Sequence, residues 1–320
     1  GLSGLGDGAL IEIHTHHLAG STEHLGGKGK TAGVTTDVQH ALVPAKIRQA
    51  TPVLPLIAEE TGLVPRREIH FVGQSVFAEF HRPHRIRFQR PGVDPLDASL
   101  GSAAWAEWVV DSDLAHEIDA REMPAGWPYG YFGIGTKGPG QKPPMDYRTE
   151  VFQLNETLLQ KAYTLSKSAT LEDSPEAIAF RKNYAFAPAN QPPAVIQCDV
   201  ASADTWWAGR NLGQRARDWV KTMTDNKGTY CTTAQEDNAT LEVLTRGARA
   251  GKVDFSRVAL LRAGSDFDRP YDGQSASDGL INYAQQGGFV PATHNLVNAA
   301  EPLLDDIVDH WPRWKQGVPN

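Results

Sequence analysis

Two carboxylates stand where a fold can aim them at a ligand: Glu236, in Ala234-Gln235-Glu236-Asp237-Asn238, and Asp266, in Ala263-Gly264-Ser265-Asp266. Val258-Ala259-Leu260-Leu261 is a short apolar run bounded by charge and Gly, which predicts a buried strand ending at Arg262. Ser265-Asp266 then lies just past its carboxyl end, the edge at which open α/β sheets bind ligands. Asp266 is accordingly either a ligand contact or a cap for the next turn. Glu236 precedes residues 239–250, which place apolar and polar positions at helical spacing. It is either a first-turn acid favoured by the helix dipole or an acceptor for paired sugar hydroxyls, a task suited to an acceptor-only group. Spacing alone leaves both readings open.

The elements that must carry these groups become distinct from Ser99 onward. Residues 103–110 read as a strand and 114–118 as its continuation or partner, and residues 126–144 as a long Gly/Pro/aromatic loop of the kind that covers a site or an interface. Helical patterns occupy 150–166, 174–184 and 205–223, with Ser174-Pro175 and Asp204 as start signals for the last two. Residues 195–199 make a strand between helices, and helices over 275–285 and 294–310 close the chain. Strands alternating with helices predict an α/β protein with a mixed sheet flanked by helices.

Residues 1–100 differ in texture. All eight Trp, all eight Tyr, both Cys and all three Met lie beyond residue 100, whereas eight of the eleven His lie within the first 84 residues. Residues 47–63 allow a helix interrupted by Pro52 and Pro55, and residues 68–77 allow a strand. The division expected is an atypical segment over 1–90, disordered or mistranslated, followed by one α/β domain over 91–320.

The 320 residues suffice for a large core. With 38 acidic against 31 basic side chains the net charge is −7, which argues against a nucleic-acid partner. Cys198 and Cys231 are too few for a disulfide scaffold and lack metal-ligand spacing, so small apolar packing is the expected role of each. No run approaches a membrane span and no cleavable signal pattern is visible, so the chain as given is expected to be soluble; its compartment stays open.

Several long blocks in order carry a family resemblance. They are residues 198–209 (Cys198-Asp199 through Trp206-Trp207-Ala208-Gly209), residues 228–240 around Tyr230 and Gln235-Glu236, and residues 261–270 around Ser265-Asp266. Residues 112–122 and 150–155 fit as well. From about Pro91 to the C-terminus the chain resembles the purine nucleoside permease family, whose members look like nucleoside phosphorylases. The resemblance implies a nucleoside phosphorylase-like mixed sheet and a purine nucleoside as ligand. It implies that Gln235-Glu236 stands where the phosphorylases hold the ribose hydroxyls. It also implies that Ser265-Asp266 stands where an Asp protonates the purine base, making Asp266 the catalytic acid of N-glycosidic cleavage. Tyr230, Trp206 and Trp207 are the nearest aromatic side chains for stacking on the base, against packing in the core. Phosphate or water is the acceptor, no cofactor is required, and a homo-oligomer is compatible. Residues 1–90 lack the strands and Gly-rich loop that the family carries there; only Pro91-Gly92-Val93-Asp94-Pro95 resembles the end of that segment.

Two rival functions follow. An uptake-associated protein would capture nucleosides without cleaving them, with Glu236 on the ribose and Asp266 only bonding the base. A metal-dependent hydrolase is suggested by His14-Thr15-His16-His17, where two imidazoles share one strand face. The other histidines, among them His24, His40 and His70, show no ligand spacing, so no metal is expected.

Overall fold

The computed structural model describes residues 68–72, 75–79 and 91–319. The expectations for 1–67, including the His-rich motif and the Pro-interrupted helix, lie outside the described residues. Over 68–79 the expected single strand is two, β1 (Glu68–Val72) and β2 (Ser75–Glu79), which pair with each other.

The rest of the described chain builds three sheets and their helices. A six-stranded sheet runs in the order β13 (Asp266–Phe267), β3 (Gly92–Val93), β11 (Tyr230–Ala234), β10 (Asp199–Ser202), β5 (Trp108–Asp111) and β8 (Val151–Gln153). Its centre is parallel: β10 pairs in parallel with both β11 and β5. Antiparallel strands flank that centre, β3 on β11 and β8 on β5, while β13 runs parallel to β3. The mixed α/β sheet predicted from the sequence is therefore observed. A three-stranded sheet places β4 (Ala103–Ala106) between β12 (Leu260–Ala263) and β9 (Val195–Gln197), and β6 (Ala115–Glu117) pairs with β7 (Tyr131–Gly133).

Two of the predicted strands are each interrupted by one residue, Glu107 between β4 and β5 and Cys198 between β9 and β10. Such a break frees backbone N–H groups from the ladder, and Asp199 takes them up. Its Oδ1 accepts from Glu107 N (3.1 Å) and Trp108 N (2.8 Å), and its Oδ2 accepts from Thr229 N (2.6 Å). Burial nevertheless pushes the Asp199 carboxyl up to about 6, against the lowering effect of those three donors. Cys198 and Cys231 pack with Ala104 as expected of small apolar residues, but they are also joined as a disulfide with a Cα–Cα distance of 5.7 Å.

Side chains alternate across the parallel strands, and both faces are buried, which is why these segments read as continuous apolar runs. Val109 and Val200 face Leu241 and Leu244 of α4 (Asp237–Arg249). Val110 and Ala201 face the other way, onto Ala216, Trp219, Val220 and Met223 of α3 (Arg210–Met223).

Helix boundaries differ from the sequence pattern for identifiable reasons. α1 covers Glu156–Ser166 and not 150–166, because Phe152 is buried in β8 and Asn155 caps the helix by accepting from Leu158 N. α2 (Pro175–Arg181) begins as predicted at Ser174, whose Oγ accepts from Ala177 N. α3 starts at Arg210, not near 205: Gly209, at φ 143°, precedes it and donates its N–H to Asp268 O at 2.7 Å. That φ is one an L side chain rarely adopts. α5 (Ala276–Ile281), α6 (Phe289–Asp309) and α7 (Trp311–Trp314) follow. Among the described residues no helix is long and apolar enough to cross a membrane.

Candidate functional site

Three parallel strands end together at Asp111, Ser202 and Ala234, and the first turn of α4 closes over them. Asn238 ties that turn down: its N–H and its Oδ1 both bond the Ser202 hydroxyl, and its Nδ2 donates to Asp111 Oδ2 at 2.7 Å. A pocket opens at this carboxyl edge, lined by Pro91, Thr205, Trp206, Thr233, Gln235, Glu236 and Arg262. Its location is the one that the topology of α/β sheets favours for ligands.

Glu236 is the residue at the N-cap position of α4, yet its side chain makes no capping bond to the helix. The carboxylate points elsewhere. Oε2 accepts from Arg262 Nη2 at 3.1 Å and from Gln235 N at 3.3 Å, while Oε1 is buried with no hydrogen-bond partner among the described residues. Leaving a buried carboxylate oxygen unbonded is costly, so such an atom in a pocket marks a place where a ligand donor improves the structure. Gln235 also lines the pocket, its Nε2 donating to Asp204 O at 2.8 Å.

Arg262 is a residue of the pocket wall whose part there the sequence pattern conceals. It is the third of the four residues of β12, and its side chain is fully buried. Nε donates to Asp237 Oδ2 at 2.9 Å, and Nη2 bonds both Asp237 Oδ1 and Glu236 Oε2. Burial lowers the affinity of the guanidinium for its proton, but Asp237 and then Glu236 outweigh it and hold the group above its ordinary range. Nη1 has no hydrogen-bond partner among the described residues.

Asp266 does not hang in a loop as predicted; it opens the two-residue strand β13, opposite Gly92 of β3. The carboxyl is buried and accepts from the Ser265 hydroxyl at 2.9 Å. Ser265 Oγ also lies 3.1 Å from Pro91 O, so the Ser265-Asp266 pair sits against a residue of the pocket wall. From Asp266 the path to Glu236 crosses one strand: Gly92 donates its N–H to Thr233 Oγ1 at 2.8 Å, on the strand that runs into Gln235-Glu236. Two strand spacings are about 10 Å, and Glu236 stands three residues further along the chain from Thr233.

The three aromatic candidates separate. Trp206 lines the pocket and packs on Tyr283 with ring centroids 4.5 Å apart. Trp207 is buried in the core cluster of α3. Tyr230 begins β11, about 13 Å along the strand from Ala234, and its hydroxyl donates to Asp268 Oδ2 at 2.5 Å. It belongs to a second charged cluster at the far end of β3 and β13. There Asp94 lies 3.0 Å from Arg217 Nη1 and 2.9 Å from Arg269 Nε, the latter an ion pair by distance without hydrogen-bond alignment. Burial, and then the Asp94 charge, hold the Asp268 carboxyl well above the usual carboxylate range. No group of His, Cys, Asp and Glu that could hold a metal ion occurs among the described residues.

Fold and site together define an α/β protein with a pocket at the carboxyl edge of its parallel strands, lined by Glu236 and Arg262. The chain belongs to the purine nucleoside permease (NUP) family, whose match covers residues 90–319. It is 39% identical over 236 residues to a probable purine nucleoside permease of Schizosaccharomyces pombe, covering 70% of this chain and 66% of the relative. It is 36% identical over 231 residues to a purine nucleoside permease of Candida albicans, covering 71% of this chain and 57% of the relative. The match thus spans between about half and two thirds of the length of these relatives. Among solved structures it is similar to a 5′-methylthioadenosine/S-adenosylhomocysteine nucleosidase from Neisseria meningitidis, at 12% identity and a TM-score of 0.35 over 67% of each chain. The corresponding nucleosidase from Helicobacter pylori aligns over 82% of this chain and 94% of its own, at 14% identity and a TM-score of 0.35.

Proposed function

We propose that this protein binds purine nucleosides in the pocket at the carboxyl edge and acts in nucleoside uptake as the capturing component. Glu236 is the ribose clamp in this reading, with Gln235 beside it and the Trp206 ring as a wall for the base. The observation that carries it is Glu236 Oε1, a buried carboxylate oxygen in the pocket with no protein donor, next to an Oε2 already fixed by Arg262. A carboxylate held by one oxygen offers the other to a hydroxyl as a charge-assisted acceptor. The family membership and the permease names of the relatives supply the ligand class and the uptake role.

Cleavage of the N-glycosidic bond is a second reading, favoured by the buried Ser265-Asp266 pair behind Pro91. Breaking that bond builds positive charge on the sugar and negative charge on the departing base, and a carboxyl that donates a proton to the base accelerates it, typically by ~10²- to 10⁴-fold. Equilibrium dialysis with inosine and adenosine, followed by chromatography of the same samples with and without phosphate, separates the two. Saturable binding with the nucleoside recovered intact supports capture alone; release of free base supports cleavage, and its dependence on phosphate names the acceptor. Failure to bind either nucleoside would sink both readings.

A further inference from the structure

We infer that Asp237 is a positioning residue that keeps Glu236 available to ligand, an inference that rests on the ribose-clamp reading above. Arg262 is a fully buried cation, and a buried cation must be compensated by the carboxylates around it. Two carboxylates compete for it. Asp237, itself fully buried, takes the guanidinium bidentately through Nε and Nη2, whereas Glu236 receives only a shared Nη2 contact, at 3.1 Å on Oε2. The unequal division is what leaves Oε1 of Glu236 without a partner.

Neutralising Asp237 would shift the whole compensation onto Glu236. Arg262 also has a spare nitrogen, the unpartnered Nη1, so it has the donors to hold both oxygens of one carboxylate. Glu236 would then be drawn into a two-point pair with the guanidinium and lose its acceptor strength toward hydroxyls. Asp237 also stands in the first turn of α4, adjacent to Glu236 in sequence, so its own ion pair fixes the backbone from which Glu236 projects. The pocket keeps one net negative charge, from two carboxylates and one guanidinium, and Asp237 determines which carboxylate carries it.

The test compares inosine with 2′-deoxyinosine, because the ratio of their dissociation constants, 2′-deoxyinosine over inosine, reports the bond to the ribose 2′-hydroxyl and not general binding. Asp237→Asn is expected to lower that ratio about tenfold, the worth of a hydrogen bond to a charged acceptor. A merely structural role would weaken both ligands together and leave the ratio unmoved, and that result overturns the inference. Asp237→Asn/Arg262→Gln removes the competing cation and replaces a buried ion pair by a neutral one, a change that folds often tolerate. It is expected to recover part of the ratio lost in the single variant; a ratio as low as or lower than that of Asp237→Asn overturns the inference. Should the single variant fail to fold, the double variant decides alone, with ribose discrimination expected and its loss contrary. Wild-type protein that binds the two ligands equally refutes the ribose clamp itself, which identifies that reading, and not the division of charge, as the failure.

Discussion

Gly92 donates its N–H to the Thr233 hydroxyl at 2.8 Å, and this bond joins the strand beside Asp266 to the strand that leads into Gln235-Glu236. The contact requires a residue without a side chain: a Cβ at position 92 would lie 2.8 Å from Thr233 Oγ1. Gly92→Ala must therefore displace Thr233 or β3. A destabilisation of about 1–3 kcal/mol is expected, as for other overpacked core sites, together with weaker inosine binding. Chemical denaturation and dialysis on the same variant check this; unchanged values for both would mean that β3 does not organise the pocket.

Glu236 and Asp266 should fail differently when neutralised. Glu236→Gln exchanges a charged acceptor for an amide and should weaken inosine affinity by about tenfold or more. Asp266→Asn keeps a group able to bond the base but removes its capacity to deliver a proton. In the capture reading Asp266→Asn retains most of the affinity. If wild-type protein releases base, single-turnover release should collapse in Asp266→Asn while binding persists. Equal losses of affinity in the two variants would remove the division of roles.

What the sequence made legible was local. The strand–turn–acid pattern at Ser265-Asp266 and the acid before a helix at Gln235-Glu236 are short-range signals, and both groups occur near the pocket wall or in it. Arg262 was hidden because its meaning is tertiary: at the end of Leu260-Leu261 it reads as the polar stop of a strand, and only the packing of α4 on β12 supplies Asp237 as its partner. An Arg continuing an otherwise buried run is the one hint available. Nearness in sequence misled at Tyr230, since an extended strand carries its first residue away from the pocket that its last residue enters. Pairing also overrode helical periodicity in residues 151–153, where the edge of β5 was open to Phe152.

The Cys198–Cys231 bond links the interruption between β9 and β10 to the second residue of β11, across a sequence separation of 33. In the chain-entropy account a loop of that length contributes about 3–4 kcal/mol to stability. Oxidised protein denatured without reductant should show no reactive thiol, and Cys231→Ser should lower the denaturation midpoint accordingly. Two reactive thiols per chain in material never exposed to reductant would place these cysteines as packing residues only.

Asp199 gives the fold a defined pH dependence. Burial pushes its carboxyl up to about 6 in the folded protein, whereas an unfolded Asp titrates near about 3.9. Because the folded value is the higher one, its contribution to stability is fully present below about pH 4 and is lost as pH rises through about 6. The loss amounts to roughly 3 kcal/mol at most, from about two pH units at 1.4 kcal/mol each. Asp199→Asn removes the titration. It also offers one carbonyl oxygen where three N–H groups donate to two carboxylate oxygens, so the variant should be less stable by about 1–3 kcal/mol at low pH. Other acids titrate alike in both proteins and cancel in the difference. Urea denaturation at intervals between pH 4 and pH 7 should accordingly show the gap between wild type and variant narrowing with rising pH, most of it before about pH 6. Parallel profiles across that window would mean that the three backbone donors, and not burial, set the titration of Asp199.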